Sequence, residues 1–561
     1  MSREFRIKGG EKILALIKNF TATQKVVFGV LVIISTLSAM SLALKVNNSF
    51  LMPVPAHGGR LVEGVVGLPR SINSVLAFTD VDRDIASLVY SGLMKYEDGK
   101  IVPDSAEKYS VSSDGLTYTF TLKDDVRFHD GVPMTTDDVE FTIQKIQDSI
   151  IKSPRRADWA NVAVKKINPS EIQFILKQPY APFLSNMTLG ILPKHIWSKI
   201  DSDQFIYSQY NIEPIGSGPY RIKNIQRDSG GIPISYSLTS FSRYHDGEPY
   251  ISDFVIYFYP NEKSALEARD SGIIESISRI SAGEAAQIAS TSPSVRILRA
   301  PLPRIFGVFF NQNQAPLFAK NEVRQALDMA VDKEGVVREV LYGYGMGSDS
   351  PLPSQKKDSV PPRNIDGAKA LLAKNGWVDG KKGNQVLEFS IATADSPDLK
   401  QAAEIIKRNW EEIGASVTIK VFEYGDLYQN VIATRKYDAL LFGESVGKDL
   451  DLYAFWHSSQ RNSPGLNVAM YVNSRADKLL EDARITSDAK DRDRIYSQFE
   501  KIVRDDIPAV FLYSPEFIYI VPDKLKGISL SDITSPTDRF YGIGKWYVKT
   551  DNVWKIFNSR N

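Results

Sequence analysis

The sequence predicts a mixed α/β protein of two or three domains, preceded by one helix that is long enough to cross a membrane. Three observations lead to this prediction. Residues 26–44 contain no charged side chain, the chain of 561 residues exceeds what one hydrophobic core usually supports, and strand and helix patterns alternate irregularly after residue 60. Apolar residues make up 43% of the chain and charged residues 24%, a balance typical of a body that folds in water.

The N-terminal region predicts a basic cytoplasmic segment at 1–25 and a transmembrane helix at 26–44. An uncharged run of this length is close to the roughly 20 residues that span a bilayer core as a helix. Lysine and arginine dominate the residues before it, which keeps the N-terminus in the cytoplasm and places the body outside. A cleaved signal peptide is the alternative, because Ala39, Ser41 and Ala43 are small residues that suit a peptidase.

The body then shows separate strand and helix patterns. Prolines and glycines without periodicity predict a linker at 45–58. Apolar and threonine residues alternate with period two at 116–122, which predicts a strand. Thr135 or Thr136 is suited to capping the helix that follows, and an apolar stripe predicts a helix over 321–341.

Composition excludes several classes of function. The chain carries 68 lysines and arginines against 67 aspartates and glutamates, so no excess charge favours a nucleic acid, and we predict none as a partner. It has no cysteine, which excludes thiolate catalysis, disulfides and lipid attachment through cysteine. Its 5 histidines show no metal-type spacing. We therefore predict no metal and no cofactor.

One motif is typical of serine hydrolases. Residues 443–447 match the pattern G-x-S-x-G and follow the apolar strand predicted at 439–442, which would make Ser445 a nucleophile. Such an enzyme needs a histidine from a separate part of the fold, and His457, the only histidine downstream, lies on what looks like the next helix. We favour a chance match and predict that the protein is not an enzyme.

Several motifs taken in order make the sequence similar to the family 5 extracellular solute-binding proteins, which include the oligopeptide, dipeptide and nickel binders of bacterial ABC importers. The longest block runs through 113–122 and 128–133 to Val139. The other matching segments are 91–93, 101–103, 191–195, 215–221, 316–318, 323–327, 330–332, 376–377, 437–439 and 477–480.

The resemblance implies a two-lobed periplasmic-binding-protein-like fold with an extra subdomain, whose lobes close over a ligand about a hinge. Lobe I is expected at 59–305 with the subdomain at about 93–210, lobe II at 306–524, and a C-terminal tail at 525–561 that returns to lobe I. The hinge is expected at 306–311 and 519–522.

The resemblance also implies where a ligand binds. In peptide binders of the family, the loop after the strand that matches 439–442 carries an aspartate for the amino terminus of the peptide. This chain departs from that pattern, and the nearest acids are Glu444 and Asp449. Because an unpaired buried ammonium costs several kcal/mol, peptide binding requires one of them to substitute. The other expected ligand-binding residues are Leu68, Arg70, Ser71, Tyr424, Ser445 and Tyr513.

The function implied is that of a membrane-anchored solute-binding subunit of an ABC importer, with a monomeric body on the extracytoplasmic side. It captures peptides or a related small solute by hinge closure and delivers them to permease subunits. Two alternatives stay open at this point. One is a peptide-binding or chaperone-like protein that works without a transporter, and the other is a serine hydrolase that uses Ser445.

Overall fold

The computed structural model describes residues 19–291, 295–353, 360–447, 450–531 and 533–557. The chain forms two compact units, one made of residues 1–56 and 549–561 and the other of residues 57–548. The strands in chain order are β1 (Leu51–Ala56), β2 (Arg60–Val66), β3 (Met94–Glu97), β4 (Lys100–Pro103), β5 (Ala106–Val111), β6 (Thr117–Leu122), β7 (Val162–Asn168), β8 (Glu171–Leu176), β9 (Tyr220–Arg227), β10 (Pro233–Ser240), β11 (Asp253–Tyr259), β12 (Ser276–Ser278), β13 (Val295–Pro301), β14 (Arg304–Phe310), β15 (Gly345–Gly347), β16 (Lys381–Lys382), β17 (Gln385–Val386), β18 (Glu388–Ala394), β19 (Ser416–Phe422), β20 (Ala439–Ser445), β21 (Ala509–Pro522) and β22 (Lys549–Trp554). The described α-helices of eight or more residues are α1 (Ala22–Phe50), α2 (Asp80–Val89), α3 (Thr136–Gln147), α4 (Glu262–Asp270), α5 (Ala282–Thr291), α6 (Asn321–Ala330), α7 (Lys333–Val340), α8 (Ile365–Lys374), α9 (Pro397–Glu411), α10 (Ser474–Ile485) and α11 (Ala489–Asp506).

The smaller unit contains helix α1, the one helix in the described residues that is long and apolar enough to cross a membrane. Its N-terminus is closed by a reciprocal cap, because the Gln24 side chain accepts from the Thr21 N–H while Thr21 Oγ1 accepts from the Gln24 N–H. The helix continues beyond the expected end at 44, and the segment expected as a linker instead completes α1 and forms β1. Strand β1 pairs antiparallel with β22.

The larger unit is built on a mixed sheet in the order β19-β18-β20-β14-β21-β12-β2-β11-β10-β9, with β13 and β15 also paired to β21. Two hydrophobic cores lie on it, one centred on β14, β18 and β20 and the other on β2, β10 and β11. This is the two-lobed α/β architecture that the sequence predicts. Ala265 and Ala285, from α4 and α5, belong to the core of the second lobe although they precede residue 305.

The two lobes share strand β21. Its first half pairs with β14, and residues 516–522 pair with β13. A further connection is formed by Leu302 and Pro303 between β13 and β14, and the Leu302 N–H donates to the Pro515 carbonyl oxygen at 3.2 Å. The crossings at 302–303 and 514–515 therefore lie side by side, a few residues before the hinge segments that we expected.

The subdomain of the first lobe is an antiparallel sheet in the order β5-β6-β8-β7, covered by α3. Strand β6 confirms the strand predicted at 116–122, since Tyr118, Phe120 and Leu122 point inward. Thr135 caps α3, whose Asp138 carboxylate accepts the Thr135 N–H at 2.8 Å. The single helix predicted at 321–341 was wrong. The chain leaves α6 after Ala330, and Asp332 caps α7 by accepting the Gly335 N–H, a role for which aspartate is well suited.

A buried ion cluster ties the C-terminal segment to the first lobe. Arg539, in the short helical turn Pro536–Phe540, is fully buried, and its guanidinium donates to Glu63 Oε1 and Asp84 Oδ2, both at 2.7 Å. Thr537 and Tyr519 donate to the remaining oxygens of Asp84 and Glu63, each at 2.6 Å. Residues up to 548 lie in this unit, whereas β22 pairs with β1 in the other.

Candidate ligand-binding site

The candidate site begins where β14 and β20 lie side by side at the edge of the second lobe. Arg304, the first residue of β14, is paired directly with Ser445, the last residue of β20, so that both side chains point to the same face. Phe306 follows on that face and stacks on Tyr513 of β21, with ring centroids 5.0 Å apart. Ser445 is exposed and Arg304 is half-buried.

The first lobe contributes the loop at 68–71. The backbone N–H groups of Arg70 and Ser71 donate to Asp82 Oδ1 at 2.7 and 2.9 Å, and the Thr79 N–H donates to Asp82 Oδ2. Asp82 belongs to the first turn of α2, so it holds the loop against the start of that helix. The Leu68 and Arg70 side chains are exposed, and Ser71 is half-buried.

Charged groups from both lobes surround Arg304. In the first lobe, the Asp80 carboxylate lies 3.6 Å from Arg279 Nε and 3.9 Å from Arg83 Nη1. Burial lowers the pKa of Arg304, Asp80 and Tyr424 oppose this shift, and Arg279 and Arg83 add to it. Because these neighbours come from both lobes, the Arg304 guanidinium lies where the lobes meet.

Of the two predicted tyrosines, one is accessible and the other is not. Tyr424 is 66% exposed and lies 6.4 Å from the Phe442 ring. Tyr513 is buried beneath Phe306, and burial raises the pKa of its hydroxyl. Tyr424 is therefore available to a ligand, whereas Tyr513 supports the ring of Phe306.

Of the two acids predicted to bind a ligand ammonium group, the structure describes Glu444. Glu444 is buried at 5% exposure, and it alternates with Ser445 so that its side chain points to the opposite face of β20. Burial raises the pKa of Glu444 well above its ordinary value, opposed only by the nearby Trp456 indole, and its Oε1 has no hydrogen bond within the described residues. A neutral, buried carboxyl group does not balance a ligand cation. Asp449 lies outside the described residues.

A polar bridge joins the two lobes on one side of the site. Arg484 of α10 holds Asp451 through two nitrogens, with Nη2 at 2.7 Å and Nε at 2.9 Å from its oxygens. From the subdomain of the first lobe, the Tyr180 hydroxyl donates to Asp451 Oδ2 at 3.2 Å and the Ala181 N–H donates to the Arg484 carbonyl oxygen at 2.9 Å. We call these residues the Asp451 bridge.

The serine motif does not form a catalytic pair. Ser445 ends β20, and no hydrogen bond joins it to His457 among the described residues. His457 Nδ1 instead bonds to Ser459 Oγ at 2.8 Å, and its Nε2 lies 3.6 Å from Glu481. In hydrolases with this motif the serine is activated by a histidine within hydrogen-bonding distance, so this geometry does not activate Ser445. The described residues also contain no group of three or more histidines, aspartates or glutamates that would hold a metal ion.

Comparison with known proteins identifies the family. The model of the bacterial extracellular solute-binding proteins, family 5 middle region, matches residues 100–465. The chain belongs to family 5. Its members are solute-binding proteins of ABC transporters rather than enzymes, so the prediction of a non-enzymatic function is confirmed and the hydrolase alternative is wrong.

Family 5 relatives match this chain over most of their length. The oligopeptide-binding protein AppA of Bacillus subtilis is 29% identical over 514 residues, covering 88% of this chain and 92% of AppA. The structure of that protein in complex with a nonapeptide gives a TM-score of 0.69 and covers 88% of this chain and 100% of the AppA chain. The structure of the substrate-binding protein CtaP of Listeria monocytogenes, which is 26% identical in sequence, gives a TM-score of 0.76 and covers 88% of this chain and 100% of the CtaP chain. The heme-binding protein A of Haemophilus influenzae is 26% identical over 489 residues, covering 81% of this chain and 86% of that protein.

Sequence reasoning missed four charged residues at the site, namely Asp80, Arg83, Arg279 and Arg304. One signal was present for Arg304, which is the only charged residue between Ala300 and Phe310. A lone charge in a buried strand is costly unless it has a partner. Arg279 carries the same signal, because it is the only charged residue between Glu275 and Glu284. Its acidic partners Asp80 and Asp84 could not be predicted, since they lie 199 and 195 positions earlier in the chain.

Proposed function

We propose that this protein is the membrane-anchored binding subunit of an ABC importer, which captures a peptide or a related small solute between its lobes and passes it to a permease. The observation that carries the proposal is that Arg304 of the second lobe, which is paired with Ser445 and interacts with Tyr424, also interacts with Asp80 and Arg83 of α2 in the first lobe. The same helix holds the loop at 68–71 through Asp82. Aromatic walls with a few polar groups are typical of ligand sites. The likeness to AppA favours a peptide as the solute.

Hinge closure is supported by how the lobes are connected. The crossings at 302–303 and 514–515 are short, extended and adjacent, so changes of backbone angle there rotate one lobe against the other. The Asp451 bridge also joins the lobes, through residues that take no part in these crossings. Its contacts stabilise the closed arrangement and are lost when the lobes separate.

Incubation of the full chain in detergent with a tryptic digest of casein is expected to leave a subset of peptides bound, detectable by mass spectrometry after denaturation. Small-angle scattering should show a smaller radius of gyration with these peptides than without. Asp451→Asn should weaken peptide binding roughly tenfold, because it removes a charge-assisted bond that stabilises the closed form.

The matched control is Asp482→Asn, which removes an acid of α10 whose carboxylate, within the described part of the chain, forms an ion pair only with Lys478 of the same helix. It should bind peptides as the natural protein does. An absence of retained peptides, together with an unchanged radius of gyration, would contradict the proposed function. Copurification with permease subunits would separate the importer from a transporter-independent peptide binder.

Anchoring is supported by the length of α1 and by its contacts with β22. A helix of 29 residues is about 43 Å long, which exceeds the roughly 30 Å of a bilayer core, so that residues 45–50 extend into the headgroup region. At that level Trp554 Nε1 donates to Asn47 Oδ1 at 3.0 Å, and its ring lies 6.4 Å from Phe50. Tryptophan is enriched at such interfaces. Helix α1 also continues without a break through the possible cleavage site at 39–43.

The full chain expressed in a bacterium is therefore expected to remain in the membrane fraction after a carbonate wash and to be released by detergent. Protease added outside spheroplasts should digest the body while residues 1–25 stay protected, because the helix holds them on the cytoplasmic side. N-terminal sequencing of the mature protein checks the same point. A mature chain that begins just after residue 43 would show that the helix is a cleaved signal.

A further inference from the structure

Two arginines at the junction of the lobes each have a buried nitrogen without a hydrogen bond. In the described parts of the chain, neither Arg304 Nε nor Arg279 Nε has a hydrogen-bond acceptor. Buried donors in native proteins are almost always paired, because an unpaired one has lost its water without compensation. These two nitrogens are therefore suited to an acceptor that arrives with the ligand.

We propose that Arg304 binds a carboxylate group of the captured solute, with Arg279 and Arg83 supplying the surrounding positive charge. This inference rests on the proposed function, since it names a chemical group that the ligand must carry. Both the C-terminus of a peptide and an acidic side chain supply such a carboxylate, and the two sources share the same chemistry.

The charges around Arg304 favour an anion. The acid nearest to Arg83 is Asp80, at 3.9 Å, and the same carboxylate lies 3.6 Å from Arg279 Nε, so both distances are longer than a hydrogen bond. Arg279 also donates to Asp84 at 2.6 Å, but Asp84 is shared with Arg539 and Thr537. The acids near the three guanidinium groups are therefore already engaged by Arg279, Arg83 and Arg539.

Arg304 itself has no ion pair within the described residues, although the cleft removes much of its hydration. A carboxylate restores both the charge balance and the missing hydrogen bond, because its two oxygens match the planar donor geometry of a guanidinium group. Ser445 lies directly opposite on β20 with an exposed hydroxyl. It is placed to donate to the second oxygen.

The first experiment tests the carboxylate site without any peptide. In the full chain labelled with ¹⁵N-arginine and held in detergent, acetate is expected to shift the Nε–H resonance of Arg304, assigned through its loss in Arg304→Gln. Acetamide, which has the same shape without the charge, and sodium chloride at equal ionic strength should leave it in place. Arg227 supplies an internal reference, since it lies on the surface in an ion pair with Glu213.

The second experiment uses the casein peptides. Arg304→Gln is expected to lower their affinity at least tenfold, Arg304→Lys to restore part of it, and Arg227→Gln to leave it unchanged. Methyl esterification of the digest should abolish binding to the natural protein. Two sets of modified peptides show which carboxylate is recognised. Loss of binding on amidation of the C-terminus alone identifies the terminal carboxylate, and loss of binding when aspartate and glutamate are replaced by their amides identifies a side chain.

The outcomes separate this inference from the proposed function. Peptides that bind equally well before and after esterification would overturn the carboxylate site and leave peptide capture intact. An acetate-dependent shift at Arg304 without any retained peptide would support the site and contradict peptide capture. An Arg304 resonance that responds equally to acetate and acetamide, or to neither, would overturn the inference.

Discussion

Replacing Arg539 with alanine is expected to lower the free energy of unfolding of the first lobe by about 3–5 kcal/mol. The guanidinium is fully buried between Glu63 and Asp84, which are themselves buried. Its removal leaves two carboxylates in an apolar surrounding without their main counter-charge, and such groups lose far more in desolvation than they recover from neighbouring hydroxyls. Urea denaturation followed by near-ultraviolet circular dichroism measures the change.

The control for this prediction is Arg227→Ala. Arg227 forms an exposed ion pair with Glu213 at 3.0 Å, and pairs of this kind contribute less than about 1 kcal/mol. If Arg539→Ala lowers the free energy of unfolding by less than about 1 kcal/mol, as the control is expected to do, the buried cluster does not hold the C-terminal segment in place. Because Asp84 also bonds to Arg279, the variant should additionally weaken ligand binding.

Replacing Glu444 with glutamine is expected to remove a loss of stability that the natural protein undergoes as the pH rises. Burial raises the pKa of Glu444 well above its ordinary value. The folded protein therefore keeps this proton at a pH where the unfolded chain has released it. The contribution of this bound proton to the free energy of unfolding is fully present below about pH 4.3, the pKa of a glutamate in the unfolded chain. Above that pH the contribution falls by about 1.4 kcal/mol per pH unit, until the pH reaches the pKa of Glu444 in the folded protein.

Urea denaturation at several values between pH 5 and pH 8 measures this slope. The advantage of Glu444→Gln over the natural protein should grow with pH, whereas Glu388→Gln, which changes an exposed acid at the start of β18, should follow the natural curve. Parallel curves for all three proteins would contradict a buried, protonated Glu444. Peptide affinity should be unchanged, since a neutral carboxyl group provides no charge for a ligand ammonium.

Features that depend on short-range patterns could be predicted from the sequence. The period-two alternation that predicted strand β6 reflects which side of one strand is buried, and the uncharged run that predicted α1 depends only on length and polarity. The order of motifs indicated the family and hence the two lobes. The break between α6 and α7 was missed because the apolar stripe continues across it. The break is marked by a single side chain, that of Asp332, which caps α7.

Ligand contacts by the loop at 68–71, Tyr424 and Ser445 stay predictions. The structure shows that Tyr424 and Ser445 are exposed, whereas Glu444 points into the core of the second lobe and Tyr513 is covered by Phe306. Adjacent residues of a strand point to opposite faces, so the direction of Glu444 depends on the register of β20 against β14. That register involves residues more than a hundred positions apart.

The sequence by itself therefore determined that this chain has one membrane-length helix, an α/β body without cysteine chemistry and the fold of a solute-binding protein, because composition, local periodicity and motif order are all carried by neighbouring residues. Only the tertiary structure decided which charges meet. Arg304, Arg279 and Asp80 are brought together by the pairing of strands and by the shared strand β21, and the free energy of a charge depends on the neighbours that folding provides.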